Sequence, residues 1–546
     1  MPRHWIRVAC CLVAAPALAA DLPPLTSPES LPAWARTGRF RPARWDGGLI
    51  EAEKGRLSGW PNYTEADERG VMAATRAWYN PRTVAFLKTA HINWAWVTWS
   101  VGFSHETEAA QRDAVRRYIA ECHRQGIRVA AYFSVANMFW ADMFERVPAS
   151  RHWVELLPDG SPRFYKPPHR YMANIANPEW LAYTRERVRA AMEAGADSFW
   201  VDNTFQYHGA QNVQRFLNVV YEEAARFGRK IVLMSNYNRR VYTWARYQNG
   251  VTTEDGQEPG WYPEDPEPRR LATNAGLLRY HWGISEGWRP VSAEYGGRHR
   301  GDRFTDPMAP AKWQLSIAEC AAFQAGFEPF FEGLFLRDLH NGVSAALEKL
   351  AAIGKYNAFL ERHEEHYTDP RPAAPVAVLA GESDSLVPAL NGMAARNVQY
   401  DVLFGYQEPA LAALKRYRAI AAPEPGGFSP RMKETLARYA REGGTVTANL
   451  DELAGLAAAA TPVEIEAPAT VLYNVVRQER PARLVVHLLN YAQKPVPAIR
   501  VRVRGAAGKV RLLSPDFEGV HEAPVKNSAF EVPELRTYTV AVITRP

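Results

Sequence analysis

The residues best suited to chemistry in this 546-residue chain are carboxylates that follow short apolar segments. Asp202 comes directly after Ser198–Val201, an apolar and aromatic run typical of a buried parallel strand. Glu254, Asp255 and Glu294 stand at the ends of two later segments of the same kind. Because the carboxyl ends of parallel strands are where active sites form, the sequence predicts a reactive site there. The alternative for Asp202 is a cap on the following helix.

Amide and aromatic side chains are dense near the same strand ends. This mixture suits a sugar, since aromatic rings stack on the apolar faces of pyranoses while amides and acids hydrogen-bond the hydroxyl groups. The alternative is that many of the tryptophans are core residues. The predicted substrate-binding residues are Trp99, Asn137, Asn203, Asn236, Asn238, Asp255, Glu294 and Glu332.

Cleavage of a glycosidic bond needs two carboxyl groups, one that attacks or stabilises the anomeric carbon and one that protonates the leaving oxygen. We predict Asp202 as the nucleophile, because it follows a rigid buried strand, and Glu254 as the proton donor. Asp255 and Glu294 are the alternative proton donors. The sequence has no His/Cys cluster at metal-ligand spacing and no phosphate-binding loop, so we expect neither a metal nor a cofactor.

The elements that must position these acids alternate regularly. Asn177 and Pro178 predict the start of a helix over Pro178–Ala194, and Gly195 predicts its end before the strand that leads to Asp202. Seven further strands, the first of them near residues 44–51, alternate with helices over roughly 300 residues, the size of a (β/α)8 TIM barrel. The predicted fold class is therefore α/β, with right-handed parallel β-α-β units.

Two smaller domains are predicted after the barrel, which we assign to residues 21–365. Residues 370–455 again alternate strand and helix, which predicts a small flavodoxin-like α/β domain without a phosphate loop. Residues 462–546 alternate apolar and polar positions, which predicts an antiparallel β-sandwich.

The N-terminus predicts export. Arg3 and Arg7 precede an apolar run, and small residues follow it at positions 16–20, so we interpret residues 1–20 as a cleaved signal peptide. The run is too short for a membrane anchor, and we expect a periplasmic or extracellular protein. The chain has 65 Lys and Arg against 59 Asp and Glu, and because the positive charges are scattered we expect no nucleic-acid partner.

Three segments carry a family resemblance. Residues 80–100, residues 123–134 and Phe199–Asn203 resemble the α-L-fucosidase family and the hypothetical glycosyl hydrolase families close to it. In those relatives the strand-four aspartate is the nucleophile and the acid/base comes from strand six, which implies the pair Asp202 and Glu254. The domain order also resembles β-galactosidases whose middle domain promotes trimer formation. That family uses two glutamates, on strands four and seven, whereas strand four here ends in Asp202.

These observations predict a secreted glycoside hydrolase that acts on an oligo- or polysaccharide with retention, through an Asp nucleophile and a Glu acid/base. The alternative is a non-catalytic glycan-binding barrel, which would need the aromatic residues but not a pair of acids. The middle domain is a candidate surface for self-association into a homo-oligomer.

Overall fold

The computed structural model describes most of the chain, and the following account concerns that part alone. The described residues are 25, 27–37, 39–44, 73, 77, 79–164, 170–204, 206–236, 243–267, 269–295, 308–331, 333–381, 384–492 and 494–544.

Eight short parallel strands carry the candidate site. In chain order they are β1 (Pro42–Ala43), β2 (Trp94–Ser100), β3 (Arg128–Ser134), β4 (Ser198–Asp202), β5 (Val232–Ser235), β6 (Val251–Gly256), β7 (Val291–Tyr295) and β8 (Gly326–Phe327). Five of them pair in the order β1-β2-β3-β4-β5 and the other three in the order β8-β7-β6.

The two groups of strands contact each other at both edges. At one edge the Gly250 amide donates to the Leu233 carbonyl at 3.2 Å. At the other, the Arg44 amide donates to the Pro329 carbonyl and the Phe331 amide donates to the Arg44 carbonyl, both at 3.1 Å. The parallel sheet is therefore curled, and its inward-facing side chains enclose a common interior.

Helices connect these strands and continue beyond the last one. The helix before β4 begins at Asn177, whose side chain accepts from the Glu179 amide, and ends at Gly195 with φ +103°, as predicted. The connecting and following helices are Pro81–Thr89, His105–Arg124, Pro178–Ala194, Ala210–Arg226, Ala275–Ile284, Pro310–Ala322, Gly333–His340 and Ser344–Arg362.

Alternation along the strands separates two apolar layers. Trp96, Tyr132, Trp200 and Met234 are buried inside the curled sheet and form one core cluster. Phe199 and its neighbours on the opposite strand faces pack against the helices in a second cluster. The interior is thus filled by large aromatic side chains below the carboxyl ends of the strands.

Two short antiparallel pairs lie in the connections of the curled sheet, Asn137–Phe139 with Arg170–Met172 and Gly260–Trp261 with Leu271–Ala272. After residue 370 the described chain forms one further parallel sheet and two antiparallel sheets. The parallel sheet has the order Tyr400–Phe404, Val376–Ala380, Ala419–Ala421, Thr445–Thr447, and is joined to the helices Val387–Ala395, Leu411–Leu414, Pro430–Arg441 and Leu450–Ala460. The antiparallel sheets are composed of Arg371–Pro372, Val463–Glu466, Val471–Glu479, Ala482–Asn490, Val496–Val503, Lys509–Leu513, His521–Pro524, Ala529–Leu535 and Tyr538–Thr544.

Within the described ranges, no helix combines the length and the apolar character needed to cross a bilayer. Residues 1–20, the predicted signal peptide, lie outside those ranges.

Candidate functional site

Asp202 is the last residue of β4 and shares the inward face of that strand with Trp200. Its side chain is partly exposed, whereas the four residues before it are buried. The strand therefore presents a single carboxylate at the open end of an otherwise aromatic interior.

Three donors surround the Asp202 carboxylate. The Tyr132 hydroxyl donates to Oδ2 at 2.5 Å, and Asn236 Nδ2 and the Asn203 amide donate to Oδ1 at 2.6 and 2.7 Å. These contacts come from β3, from the residue after β5 and from the backbone turn after β4. They fix the carboxylate in position and stabilise its negative charge.

The side chains of Asn203 and Asn137 stabilise the turn after β4 through hydrogen bonds. Asn203 has φ +65°, a conformation that asparagine tolerates, and its Oδ1 accepts from Ser134 Oγ and Asn137 Nδ2 at 2.8 Å each. Both asparagines are almost completely buried. Their side chains stabilise the end of β4. Asn236 differs from them, because its side-chain amide contacts the Asp202 carboxylate directly.

Arg44, which follows β1, is the buried cation of the site. Its Nη2 lies 2.6 Å from Glu254 Oε1, and its Nη1 contacts Glu294 Oε2. The guanidinium lies over the rings of Trp96 and Trp200, 4.6 and 5.0 Å from their centroids. One arginine thus connects the two predicted strand-end glutamates to the aromatic interior.

A β-bulge brings these two glutamates to the same cation. Thr253 pairs with Ala293 and Gly256 pairs with Tyr295, so Glu254 and Asp255 together oppose Glu294. Bulges of this kind re-aim side chains and occur next to active sites. The Glu254 side chain keeps 24% of its surface exposed, while Glu294 keeps 1%.

Glu328, just beyond β8, adds a third carboxyl group to this cluster. Burial raises its pKa to about 8, and the negative charges of Glu294 and Glu254 act in the same direction, while the nearby Arg44 cation opposes them. Glu328 is therefore predominantly protonated at neutral pH. Arg44, Glu254, Glu294 and Glu328 form what we call the Arg44 cluster.

The structure places the remaining predicted residues differently. Trp99 faces the helices, with its indole nitrogen donating to the Arg187 carbonyl at 2.9 Å, so it does not line the strand-end site. Alternation explains this, because Trp99 shares the outward face of β2 with Ala95 and Val97. Asn238 and Glu332 lie outside the described residues, as does the side chain of Asp255.

Sequence reasoning missed Arg44, Tyr132 and Glu328. Arg44 stands at the boundary of the predicted first strand, whose residues 45–51 lie outside the described ranges, and it directly follows β1. Tyr132 has the same inward parity as Trp96 and Trp200, a signal that strand alternation could have provided. Nothing local marks Glu328, because its partners come from other strands.

A candidate metal-binding group lies elsewhere. In the part of the chain that the structure describes, His363, Glu365 and His366 are the side chains whose ligand atoms come together, all within 4.8 Å of one another. They follow the helix Ser344–Arg362 and contribute nothing to the strand ends.

The curled parallel sheet, with acids at its strand ends, has a fold that is also found in solved structures of carbohydrate-active enzymes, as the sequence resemblance predicted. No protein-family model matches the chain, and no curated protein matches it by sequence.

Solved structures with this fold include α-L-fucosidase isoenzyme 2 from Paenibacillus thiaminolyticus, at 12% identity and a TM-score of 0.67, covering 93% of this chain and 100% of the other. A β-galactosidase from Bacillus circulans sp. alkalophilus has 11% identity and a TM-score of 0.58, covering 88% and 97%. A cycloisomaltooligosaccharide glucanotransferase from Paenibacillus sp. has 10% identity and a TM-score of 0.54, covering 93% and 85%. At these identities the similarity establishes the fold alone.

Proposed function

We propose that this protein is a secreted retaining glycoside hydrolase whose eight parallel strands form a (β/α)8 catalytic barrel. The observation that carries the proposal is the Asp202 carboxylate, held by three donors at the open end of β4. Glycoside hydrolysis needs such an ionised carboxylate on a rigid element, together with a second carboxyl group of different protonation. The Arg44 cluster supplies candidates for the second group.

The proposed reaction has two displacements. The Asp202 carboxylate attacks the anomeric carbon while Glu254 gives its proton to the departing glycosidic oxygen. Glu254 then takes a proton from water, whose oxygen attacks the same carbon and releases Asp202. The sugar leaves with its original configuration, because each displacement inverts it once.

Electrostatic balance in the Arg44 cluster supports a carboxyl group that carries a proton. One guanidinium can neutralise one carboxylate, and three carboxyl groups compete for it, so the cluster retains a proton near neutral pH. Glu328 holds that proton, and Glu254, which is more exposed than Glu294 or Glu328, is the member of the cluster that a substrate can contact. Glu294 is the weaker alternative, since it is buried against Arg44. Asp255 remains the other alternative.

We propose, together with this function, the domain layout that the sequence predicts: a barrel over 21–365, a flavodoxin-like domain over 370–455 and a β-sandwich over 462–546. The four-stranded parallel sheet and the antiparallel sheets support the two later domains.

We also propose that the protein is exported after cleavage of residues 1–20 and that it self-associates through the middle domain. N-terminal sequencing and light scattering are the respective measurements.

The nucleophile is tested by Asp202→Asn. We expect kcat on a cleavable aryl glycoside to fall by at least about a thousandfold, since losing a nucleophile removes the covalent route entirely. The matched control is Asp197→Asn. Asp197 directly precedes β4, at the end of the strand opposite Asp202, and its carboxylate contacts His123 and Arg128. That control should lower the melting temperature and leave kcat of the folded protein near the wild-type value.

Two results would contradict the proposal. Near-normal activity of Asp202→Asn would remove Asp202 from the nucleophile role. A wild-type protein that binds saccharides but cleaves none of a broad panel of aryl glycosides would favour the glycan-binding alternative.

A further inference from the structure

A large cleft lies beside the strand-end site, and the proposed chemistry does not use it. Its volume is about 2190 Å³, and it extends from the residues after β6 to the four-stranded parallel sheet. Gln257 lines it on the barrel side, only three residues after Glu254. The cleft therefore begins within about 10 Å of the backbone of the proposed proton donor, the span of three residues.

The walls of this cleft are held together by buried hydrogen bonds. The Gln257 amide donates to Asn274 Oδ1 and Asn274 Nδ2 donates to the Gln257 carbonyl, both at 2.8 Å. Asn274 is itself held by Glu319 through two bonds of 2.9 Å. Across the base of the cleft the Gly276 amide donates to Asn391 Oδ1 at 2.8 Å, so the two sides are fixed relative to each other. A cleft built in this way is largely preformed.

The wall of the cleft opposite the barrel side is formed by the four-stranded parallel sheet, at the position where sheets of this kind commonly bind ligands. Strand Val376–Ala380 lies between Tyr400–Phe404 and Ala419–Ala421, so the strand order reverses beside it. Ser385 and Pro423 follow the carboxyl ends of Val376–Ala380 and Ala419–Ala421 and line the cleft. The crevice outside such a reversal is the general ligand position of open α/β sheets.

The lining favours an uncharged, hydroxyl-rich ligand. Trp261 and Tyr262 are partly exposed on the barrel side, and the amides of Gln257, Asn391 and Asn449 also line the cleft. Aromatic faces and amides together suit pyranose rings and their hydroxyl groups. The charged lining residues are four acids and two arginines: Glu258, Asp265, Glu267, Asp451, Arg269 and Arg396.

That balance of charge disfavours acidic sugars. Arg396 pairs with Asp451 at 3.0 Å, Arg270 with Glu267 at 3.6 Å, and Lys312 lies 3.8 Å from Glu258, so the described part of the cleft has no surplus of cations to attract uronates or sulfated chains. The volume exceeds the roughly 300–1,000 Å³ of pockets that hold one small ligand, and so can take several sugar units.

We propose that this cleft binds an uncharged oligosaccharide and holds the part of the substrate that extends beyond the bond being cleaved. The inference rests on the proposed glycosidase function. It names the substrate class, a neutral glycan chain rather than a single glycoside.

The test fills the cleft without disturbing its walls. Gly392 lines the cleft in the helix Val387–Ala395, and a Cβ at this position has no heavy atom within 4 Å. Gly392→Trp therefore adds a large ring in open space. The matched control is Gly455→Trp, which has the same free space in the helix Leu450–Ala460 and does not line the cleft.

We would compare kcat/KM on a neutral oligosaccharide of about six sugar units with that on the aryl monoglycoside of the same sugar. Gly392→Trp should lower the ratio of long to short substrate roughly tenfold, equivalent to losing about 1.4 kcal/mol of chain binding. Trp261→Ala should lower it in the same direction, and Gly455→Trp should leave it unchanged. An unchanged ratio in both cleft variants would overturn the inference.

Affinity electrophoresis through gels of β-glucan, galactomannan, xylan and arabinogalactan separates the two proposals. We expect at least one of these neutral polysaccharides to retard the wild-type protein and to retard Gly392→Trp less. If the wild type cleaves no glycoside but Gly392→Trp still binds polysaccharide more weakly than the wild type, the glycosidase proposal fails. The proposal that the cleft binds an oligosaccharide then stands. If glycosides are cleaved but none of the four gels retards the wild type, the cleft proposal fails alone.

Discussion

At the scale of residues, Arg44 influences how the carboxyl groups of the site differ in protonation. The guanidinium contacts Glu254 and Glu294 and lies near Glu328, with aromatic rings on its faces. The Arg44 guanidinium is too buried to be hydrated, so its positive charge must be neutralised by its carboxylate partners. Glu328 keeps its proton because it is fully buried beside these two acids.

Glu328 also makes the stability of the protein depend on pH. The unfolded chain releases this proton near pH 4.5, whereas the folded protein keeps it until about pH 8. The free energy of unfolding should therefore fall as the pH rises between these values and level off above them. Each pKa unit is worth about 1.4 kcal/mol, so the whole change would be a few kcal/mol.

Glu328→Gln should remove this slope, because the amide mimics the protonated acid. Urea unfolding at pH 5, 7 and 9 would measure it, and the variant should gain on the wild type as the pH rises to about 8. Glu348→Gln, in an exposed position of the helix Ser344–Arg362, is the matched control and should keep the wild-type slope. Parallel pH profiles for wild type and Glu328→Gln would contradict the assignment.

At the scale of elements, the sequence predicted what local patterns determine. The cap at Asn177, the glycine at 195 and the buried strand before Asp202 are all encoded within about 25 residues, and the structure confirms them. Arg44 was not predicted as a site residue because its partner Glu294 is 250 residues away and β1 is only two residues long. Trp99 was misplaced because its position at a strand end was considered without the parity of the strand.

Gly195 and Gly455 offer opposite outcomes for the same substitution. Gly195 ends its helix at φ +103°, and a Cβ there would lie 3.3 Å from Ile119 Cγ2. Gly195→Ala should therefore lower the free energy of unfolding by about 1–3 kcal/mol. Gly455 lies inside a helix with free space around it, so Gly455→Ala should raise the free energy by roughly 0.5–1 kcal/mol. Denaturant midpoints measure both, and two changes of equal sign would contradict this interpretation.

At the scale of the whole molecule, a buried arginine connects a helix of the curled sheet to two other sheets. Arg279 lies on the helix between β6 and β7 and donates to the Tyr400 carbonyl at 2.5 Å and to Asn474 Oδ1 at 2.9 Å. Tyr400 belongs to the middle parallel sheet and Asn474 to an antiparallel sheet. Asn474 in turn donates to the Ala322 carbonyl at the end of the helix before β8. Burial lowers the pKa of Arg279.

Arg279→Met tests whether this connection makes the molecule unfold as one unit. The methionine keeps the apolar stem but leaves the Tyr400 carbonyl and the Asn474 amide oxygen buried without their donor, so we expect a loss of about 3 kcal/mol. Because the loss falls on contacts between the sheets, calorimetry should show the single transition of the wild type split in two, with the first at lower temperature. Arg441→Met, at the exposed end of the helix Pro430–Arg441, should leave the profile unchanged. A single transition shifted as a whole would mean that the sheets remain coupled without Arg279, and that the apolar contacts around it carry the connection.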